Sequence, residues 1–349
     1  EPYRRQRQMC IRDRFMIIAY VISESYSTSV FNGIKVQAET WADELERQGH
    51  KVIKVNPWES HSWENYDIIH IFGPCEFIYT FSASLSVRNN RIVLSPIIDT
   101  IQSLWKYRLV SLWGCKRLRL ASPNYTIRQS RKYIKHWLVR SKYEYEYVNK
   151  SYDVPSGQIS IIPLSYRIQE CDDYPAKEHF CLHVSRLTDD RKNVLRLMKA
   201  AVKYNFKLVL AGSISSEDDF VPFRKIMKEY DNIIYLGRVS DEKLIDLYRR
   251  AKVFALPSIN EGVGMVAVEA ASYGCDIVVT EIGGPKEYYG DMAFTVNPYN
   301  IDEIGKAVCK AMVNMNSQPK LMKYIKVNYR LSKCVKDLVK VYTEIAHNE

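Results

Sequence analysis

The sequence predicts an α/β protein made of two successive doubly wound, Rossmann-like domains facing across a cleft. Three observations predict it. The chain has 349 residues, more than the ~150 that one typical core takes. Short β-branched apolar runs alternate with helical patterns, which means parallel strands with helices on both faces of a sheet. The alternation breaks once, at YRIQECDDYPAKE (residues 166–178), and then restarts. The predicted domains are therefore 15–165 and 179–328, with a terminal helix in 329–349 able to pack back across the cleft. Open sheets of this kind bind ligands outside the carboxyl ends of their strands, so the cleft is the expected ligand site.

FMIIAYVI (15–22) reads as the first buried strand, with a polar loop over 23–32. Gly33 opens a helix running to about Gln48, and Gly49 ends it. KVIKVN, YDIIHIFG (66–73) and RIVLSPI (91–97) are further strands, and HWLVRS and QISIIPL continue the pattern. In the second half FCLHVSRL, FKLVLAGS, NIIYLGRV, KVFALPS and DIVVTEIGG read as strands. Helices are expected at 193–204, 241–251, 265–273 and 331–346. Residues 1–14 are polar, contain five arginines and fit no structural period. They read as a non-native or disordered tail, with Met16 near the true start.

The eight cysteines include no C-x-x-C pair, which argues against a disulfide framework or zinc site and for a reducing, cytoplasmic setting. No apolar run approaches the ~20 residues that span a bilayer. No D-x-D occurs and no His/Cys cluster has ligand spacing, so no metal or other cofactor is expected. The net charge of +10 is concentrated in residues 101–142, which hold eleven Lys/Arg and no Asp/Glu. Trp105, Tyr107, Leu109, Leu112, Trp113 and Trp137 interleave with these cations. Three readings stand side by side: a helical face packed into its domain, an anionic membrane surface met by charge plus interfacial aromatics, and nucleic acid.

SINEGVGMVAVEAASYG (258–274) follows a strand and reads as a glycine-bearing loop entering a helix. Backbone N–H groups at Gly262, Val263, Gly264, Met265 and Val266 are then placed where a phosphate gains from the helix N-terminus. Glu269 lies eight residues beyond Glu261, in the second helical turn. A carboxylate there suits the vicinal hydroxyls of a ribose, and one on the loop suits a sugar ring. The competing reading makes Glu261 a helix-entry residue and Glu269 a solvated helix residue.

E-x7-E with an intervening G-x-G, then Glu-Ala and a glycine, resembles the signature of family-4 retaining glycosyltransferases of GT-B fold. The resemblance covers most of residues 15–346 and is best over 180–308. VSRLTDDRKN (184–193) resembles the family segment whose Arg and Lys bind the donor pyrophosphate, which implies Arg186 and Lys192. NIIYLGRV resembles the stretch lining the nucleobase pocket, which implies backbone near Gly237 and Val239. NGIKVQAETWADELERQGHKV resembles the opening loop and helix, where Gly33 would let backbone approach the diphosphate. Two departures stand out. Val263 replaces a common aromatic, and no His follows the strand matched by RIVLSPIIDT. Asp99 is the nearest polar substitute and His70 the next, against a helix cap and a hydrogen-bonded strand-end histidine. The resemblance implies transfer of a hexose-type sugar from a UDP- or GDP-sugar, with retention, to a saccharide or lipid-linked saccharide in surface polysaccharide synthesis. Glu261, Asp99 and His70 are the catalytic candidates. With Arg186, Lys192 and helix-terminal N–H groups on the leaving diphosphate, no divalent metal is required. The reading from another class is a non-catalytic nucleotide- or nucleic-acid-binding protein using residues 101–142.

Overall fold

The computed structural model describes residues 15–23, 33–74, 77–115, 120–168, 173–313 and 318–347. The tail 1–14 and most of the polar loop 23–32 lie outside these residues. The chain forms two compact units. One takes residues up to Ile98, Gln102–Leu164 and everything from Leu331 on, and the other takes Asp99–Ile101 and Ser165–Arg330.

The first unit is a six-stranded parallel sheet. Its strands are β1 (Ile17–Ile22), β2 (Lys51–Lys54), β3 (Ile68–Phe72), β4 (Ile92–Ser95), β7 (His136–Val139) and β8 (Ile159–Ile161), in the order β2-β1-β3-β4-β7-β8. A short antiparallel pair, β5 (Gly114–Cys115) and β6 (Leu120–Ala121), lies between β4 and β7 in sequence. β3 and β4 are buried at every residue, as expected of strands covered on both faces. Helix α1 (Gly33–Arg47) buries Trp41, Ala42 and Leu45. The remaining helices are α2 (Ile78–Ser86), α3 (Leu104–Leu112), α4 (Pro123–Ser130), α5 (Lys142–Tyr152) and, far along the chain, α12 (Leu331–His347). Ser122 and Ser141 cap α4 and α5 by accepting from Tyr125 N and Glu144 N. α12 packs on α1 and β3, driven by buried Val335, Leu338, Tyr342 and Ile345.

The basic segment divides. Trp137 is wholly buried in β7 and Tyr107 nearly so in α3, whereas Trp105 and Trp113 are 61% and 83% exposed. Leu109, Val110 and Leu112 are also exposed on and beside that helix. Arg108 and Arg128 both pair with Asp153, and Arg140 with buried Glu144 at 3.0 Å. Three of the eleven cations are thus paired with two acids just beyond the segment. Lys116, Arg117, Leu118 and Arg119 lie outside the described residues.

The second unit repeats the plan with β9 (Glu178–Val184), β10 (Leu208–Ala211), β11 (Ile233–Tyr235), β12 (Ala251–Leu256), β13 (Asp276–Thr280) and β14 (Phe294–Val296). All are parallel, in the order β11-β10-β9-β12-β13-β14. Its helices are α6 (Val194–Tyr204), α7 (Val221–Glu229), α8 (Asp241–Arg250), α9 (Met265–Ser272), α10 (Ile301–Val313) and α11 (Lys320–Tyr329). Starting from β9 the chain winds outward to β11, then returns to β12 on the other side. The order reverses between β9 and β12, the kind of switch point at which open parallel sheets bind ligands.

Candidate functional site

The loop after β9 is built from the strand upward. His183 is wholly buried, with Nδ1 2.7 Å from the Ala255 carbonyl and Nε2 2.7 Å from Ser185 Oγ. A carbonyl can only accept, so Nδ1 carries the proton and Nε2 accepts from the serine hydroxyl. Burial holds the ring neutral, with its pKa pushed down to about 4. Ser185 in turn receives the end of β10. A Cβ at Gly212, whose φ is +140°, would stand 1.8 Å from the Ser185 carbonyl oxygen, so only glycine fits. Gly212 N donates to Gly237 O at 2.8 Å, which ties the loop after β11 into the same edge. Val239 is half-buried two residues further on.

Across the switch point, the segment Arg191–Asn193 laces the β9 loop to the β12 loop. Asn193 Nδ2 donates to the Pro257 and Pro298 carbonyls at 2.9 and 2.6 Å, and Ile259 N donates to Arg191 O at 2.8 Å. Lys192 Nζ and Glu261 Oε2 thereby meet at 2.5 Å, and Ser258 Oγ donates to the same oxygen at 3.3 Å. Arg186 is exposed and forms no ion pair among the described residues, whereas Arg191 is engaged through two nitrogens by Asp189. Gly264 turns the chain into α9 with φ +74°, and a Cβ there would press on Leu256 Cδ2 at 2.7 Å. Gly262, Met265 and Val266 are half-buried around that turn, while Val263 points inward at 2% exposure. The structure therefore brings Lys192, Glu261 and the start of α9 together, with Arg186 on the adjoining loop.

Glu269 is not the solvated helix residue of the competing reading. It is 0% exposed, its Oε1 accepts from Arg167 Nε at 2.9 Å, and Tyr248 hydroxyl donates to its Oε2 at 3.4 Å. Arg167 was not singled out from the sequence. It sits in the polar stretch that marked the boundary, where a lone arginine carries no pattern.

Asp99 groups with the second unit, is exposed, and accepts through its carbonyl from Asn260 Nδ2 at 3.4 Å. It is not the helix cap considered for it, because Ser103 occupies that position before α3. Ile97, just upstream, has φ +54°, an uncommon conformation for a β-branched residue. His70 matches the hydrogen-bonded strand-end histidine set against a sugar contact. It lies wholly buried in the first unit, stacked on Phe72 at 3.8 Å. Its Nδ1 is 2.6 Å from the Tyr342 hydroxyl and its Nε2 2.8 Å from Ser95 Oγ. Burial holds its pKa well below the usual range. Both nitrogens are spent on joining β3 to β4 and α12. Gly33, also in the first unit, begins α1 with no neighbour within 4 Å of a Cβ placed there. Among the described residues no group of three or more His, Cys, Asp or Glu is placed to hold a metal ion. No described helix is long and apolar enough to cross a membrane.

Residues 171–328 match the family model described as glycosyl transferases group 1. The O-antigen chain mannosyltransferase B of Escherichia coli is 29% identical over 167 residues, which is 46% of this chain and 42% of that protein. This chain spans less than half the length of such curated relatives. Among solved structures, the sucrose-phosphate synthase of Thermosynechococcus elongatus superposes with a TM-score of 0.68 at 17% identity, covering 95% of this chain and 99% of that one. WaaG, a glycosyltransferase involved in lipopolysaccharide biosynthesis, gives a TM-score of 0.61 at 14% identity, covering 93% and 99%. The fold is GT-B-like.

Proposed function

We propose that this chain transfers a hexose-type sugar from a UDP- or GDP-sugar, with retention, to a saccharide or lipid-linked saccharide during surface polysaccharide assembly. Mannose is the first sugar to test, given the O-antigen mannosyltransferase relative. The observation that carries the reading is the Lys192–Glu261 pair at the switch point, beside the N-terminus of α9 and the exposed Arg186. A donor diphosphate draws Lys192 from Glu261, and the freed carboxylate accepts hydroxyls of the donor sugar. Arg186 grips phosphate oxygens through two nitrogens, Lys192 acts as a point charge, and the first N–H groups of α9 complete the cradle. As the anomeric C–O bond to the diphosphate breaks, these groups stabilise the leaving charge. An acceptor hydroxyl bonds to the same face of the anomeric carbon and yields its proton to the departing phosphate oxygen. That step needs no protein nucleophile and no divalent metal. Asp99 is assigned to the sugar side of this site, and Glu269 to the ribose.

The acceptor lies at an anionic membrane surface in this reading, met from the cytoplasmic side by α3 of the first unit. Exposed Trp105, Leu109, Leu112 and Trp113 recur at helical spacing, with Lys106 beside Trp105. Nucleic acid is less favoured, because exposed apolar side chains interleaved with the cations suit a lipid interface. The test is thermal stability with UDP, GDP and ADP, followed by turnover of the matching nucleotide-sugars with lipid-linked saccharide. No stabilisation by any nucleotide, together with no turnover, would refute the proposal.

A further inference from the structure

The loop that leaves β13 runs beside the loop that carries Glu261. A Cβ placed on Gly283, whose φ is +86°, would stand 2.8 Å from the Glu261 carbonyl oxygen, so the two backbones touch there. Further along the same loop Tyr289 is wholly buried, and its hydroxyl has no hydrogen-bond partner among the described residues. Burial holds the phenol protonated, with its pKa well above the usual range, and Tyr288, Tyr329 and Glu261 push the same way. Glu261 is the one carboxylate among these groups, and so the one whose charge a phenol hydroxyl can answer. The ring itself is pinned. Its neighbour Tyr288 is 2% exposed and stacks on Tyr329 of α11 at 4.8 Å. The backbone is tied by Glu287 N donating to Gly284 O at 3.1 Å and Met292 N to Tyr289 O at 3.2 Å. A buried donor without an acceptor costs stability, and native chains keep few of them. Because the ring is held, an acceptor has to come to it, and the Glu261 side chain has three rotatable bonds with which to do so. Its known bonds, to Lys192 at 2.5 Å and Ser258 at 3.3 Å, both fall on Oε2.

We propose that Tyr289 is a positioning residue of the donor site, whose hydroxyl donates to the Glu261 carboxylate once a diphosphate has drawn Lys192 away. The proposal rests on the Lys192–Glu261 exchange described above. In the free protein Lys192 neutralises Glu261, whose side chain is only 14% exposed. With the lysine on the phosphates, that carboxylate keeps the Ser258 hydroxyl alone, and an uncompensated, largely buried charge opposes binding. A phenol donating to it supplies a charge-assisted hydrogen bond in place of the lost ion pair. The same bond fixes the direction in which the carboxylate meets the donor sugar. No proton changes hands, and the phenol stays neutral throughout. A tyrosine that served packing alone would lose nothing in ligand binding on becoming phenylalanine, whether or not Glu261 is present.

The experiment is a double-variant cycle on the full chain, read by calorimetric affinity for UDP, GDP and ADP and by melting temperature without ligand. Tyr289→Phe removes a buried hydroxyl that has no acceptor in the free protein, so the variant should melt no earlier than wild type. It should bind whichever diphosphate the wild type prefers roughly ten- to a hundredfold more weakly, the range of a hydrogen bond to a charged group. In a Glu261→Ala background the acceptor is gone, and Tyr289→Phe should change affinity by less than about twofold. An equal loss in both backgrounds, no loss in either, or earlier melting of Tyr289→Phe overturns the proposal and leaves the donor site standing. Unchanged diphosphate affinity in Lys192→Ala, or no binding of the three nucleotides by the wild type, overturns the exchange at the donor site and the proposal with it.

Discussion

Replacing Trp105 and Trp113 by alanine together tests the membrane-facing role proposed for α3. At 61% and 83% exposure, and taking about 200 Å² per tryptophan side chain, the two present roughly 300 Å² of apolar surface to solvent. Complete transfer of that area out of water is worth ~7 kcal/mol at about 25 cal/mol per Å². Seating at headgroup level dehydrates only part of it, and a third gives ~2.5 kcal/mol, a loss of about 60-fold in partitioning. The assay is sedimentation of the protein on vesicles containing anionic lipid, with tryptophan emission as a second readout. Raising the salt from about 0.1 M to about 1 M shortens the Debye length from ~10 to ~3 Å and should weaken binding of the wild type. Because both side chains are mostly exposed, the double variant should keep its melting temperature. Tyr107→Ala, on the same helix but 6% exposed and hydrogen-bonded at 2.8 Å to Tyr152, should melt earlier. Unchanged vesicle binding in the double variant, or equal binding to neutral and anionic vesicles, would refute the reasoning.

Three further predictions concern the second unit. Glu261→Ala should spare binding of the bare nucleotide and depress transfer, while Glu269→Ala should weaken nucleotide binding by ~1–3 kcal/mol; calorimetry paired with turnover separates the two, and reversed outcomes would exchange their roles. Turnover should survive treatment with a chelator, and its loss with recovery on adding Mg²⁺ or Mn²⁺ would show that a metal takes part. His183 should make stability depend on pH. Its folded pKa of about 4 lies below the unfolded value of about 6.5, so the unfolded chain binds the proton first as pH falls. Its contribution is complete above about pH 6.5 and declines by ~3 kcal/mol on acidification to about pH 4. Denaturant titration of the wild type against His183→Gln should show the variant losing that part of the slope.

The sequence by itself determined the two doubly wound sheets, because apolar runs of strand length alternating with helical periods leave few other arrangements. It also singled out the loop at 258–265, since glycine before a helix is a local signal, whereas the segment 184–193 stood out only through the resemblance to family-4 glycosyltransferases. It did not separate α7, α10, α11 or the short strand β14. It could not show that Trp137 is core while Trp105 and Trp113 are surface, because all three sit among the same cations and burial depends on which sheet or helix face a residue occupies. Only the tertiary structure paired Lys192 with Glu261, residues 69 positions apart that meet because β9 and β12 are neighbours in space. It alone buried His70 between β4 and α12, which lies about 270 residues downstream. It alone set Arg167 on Glu269 across 102 positions. A hydrogen bond or ion pair over such separations leaves no periodic trace along the chain, so its partners become visible only when folding has brought the strands and helices that carry them together.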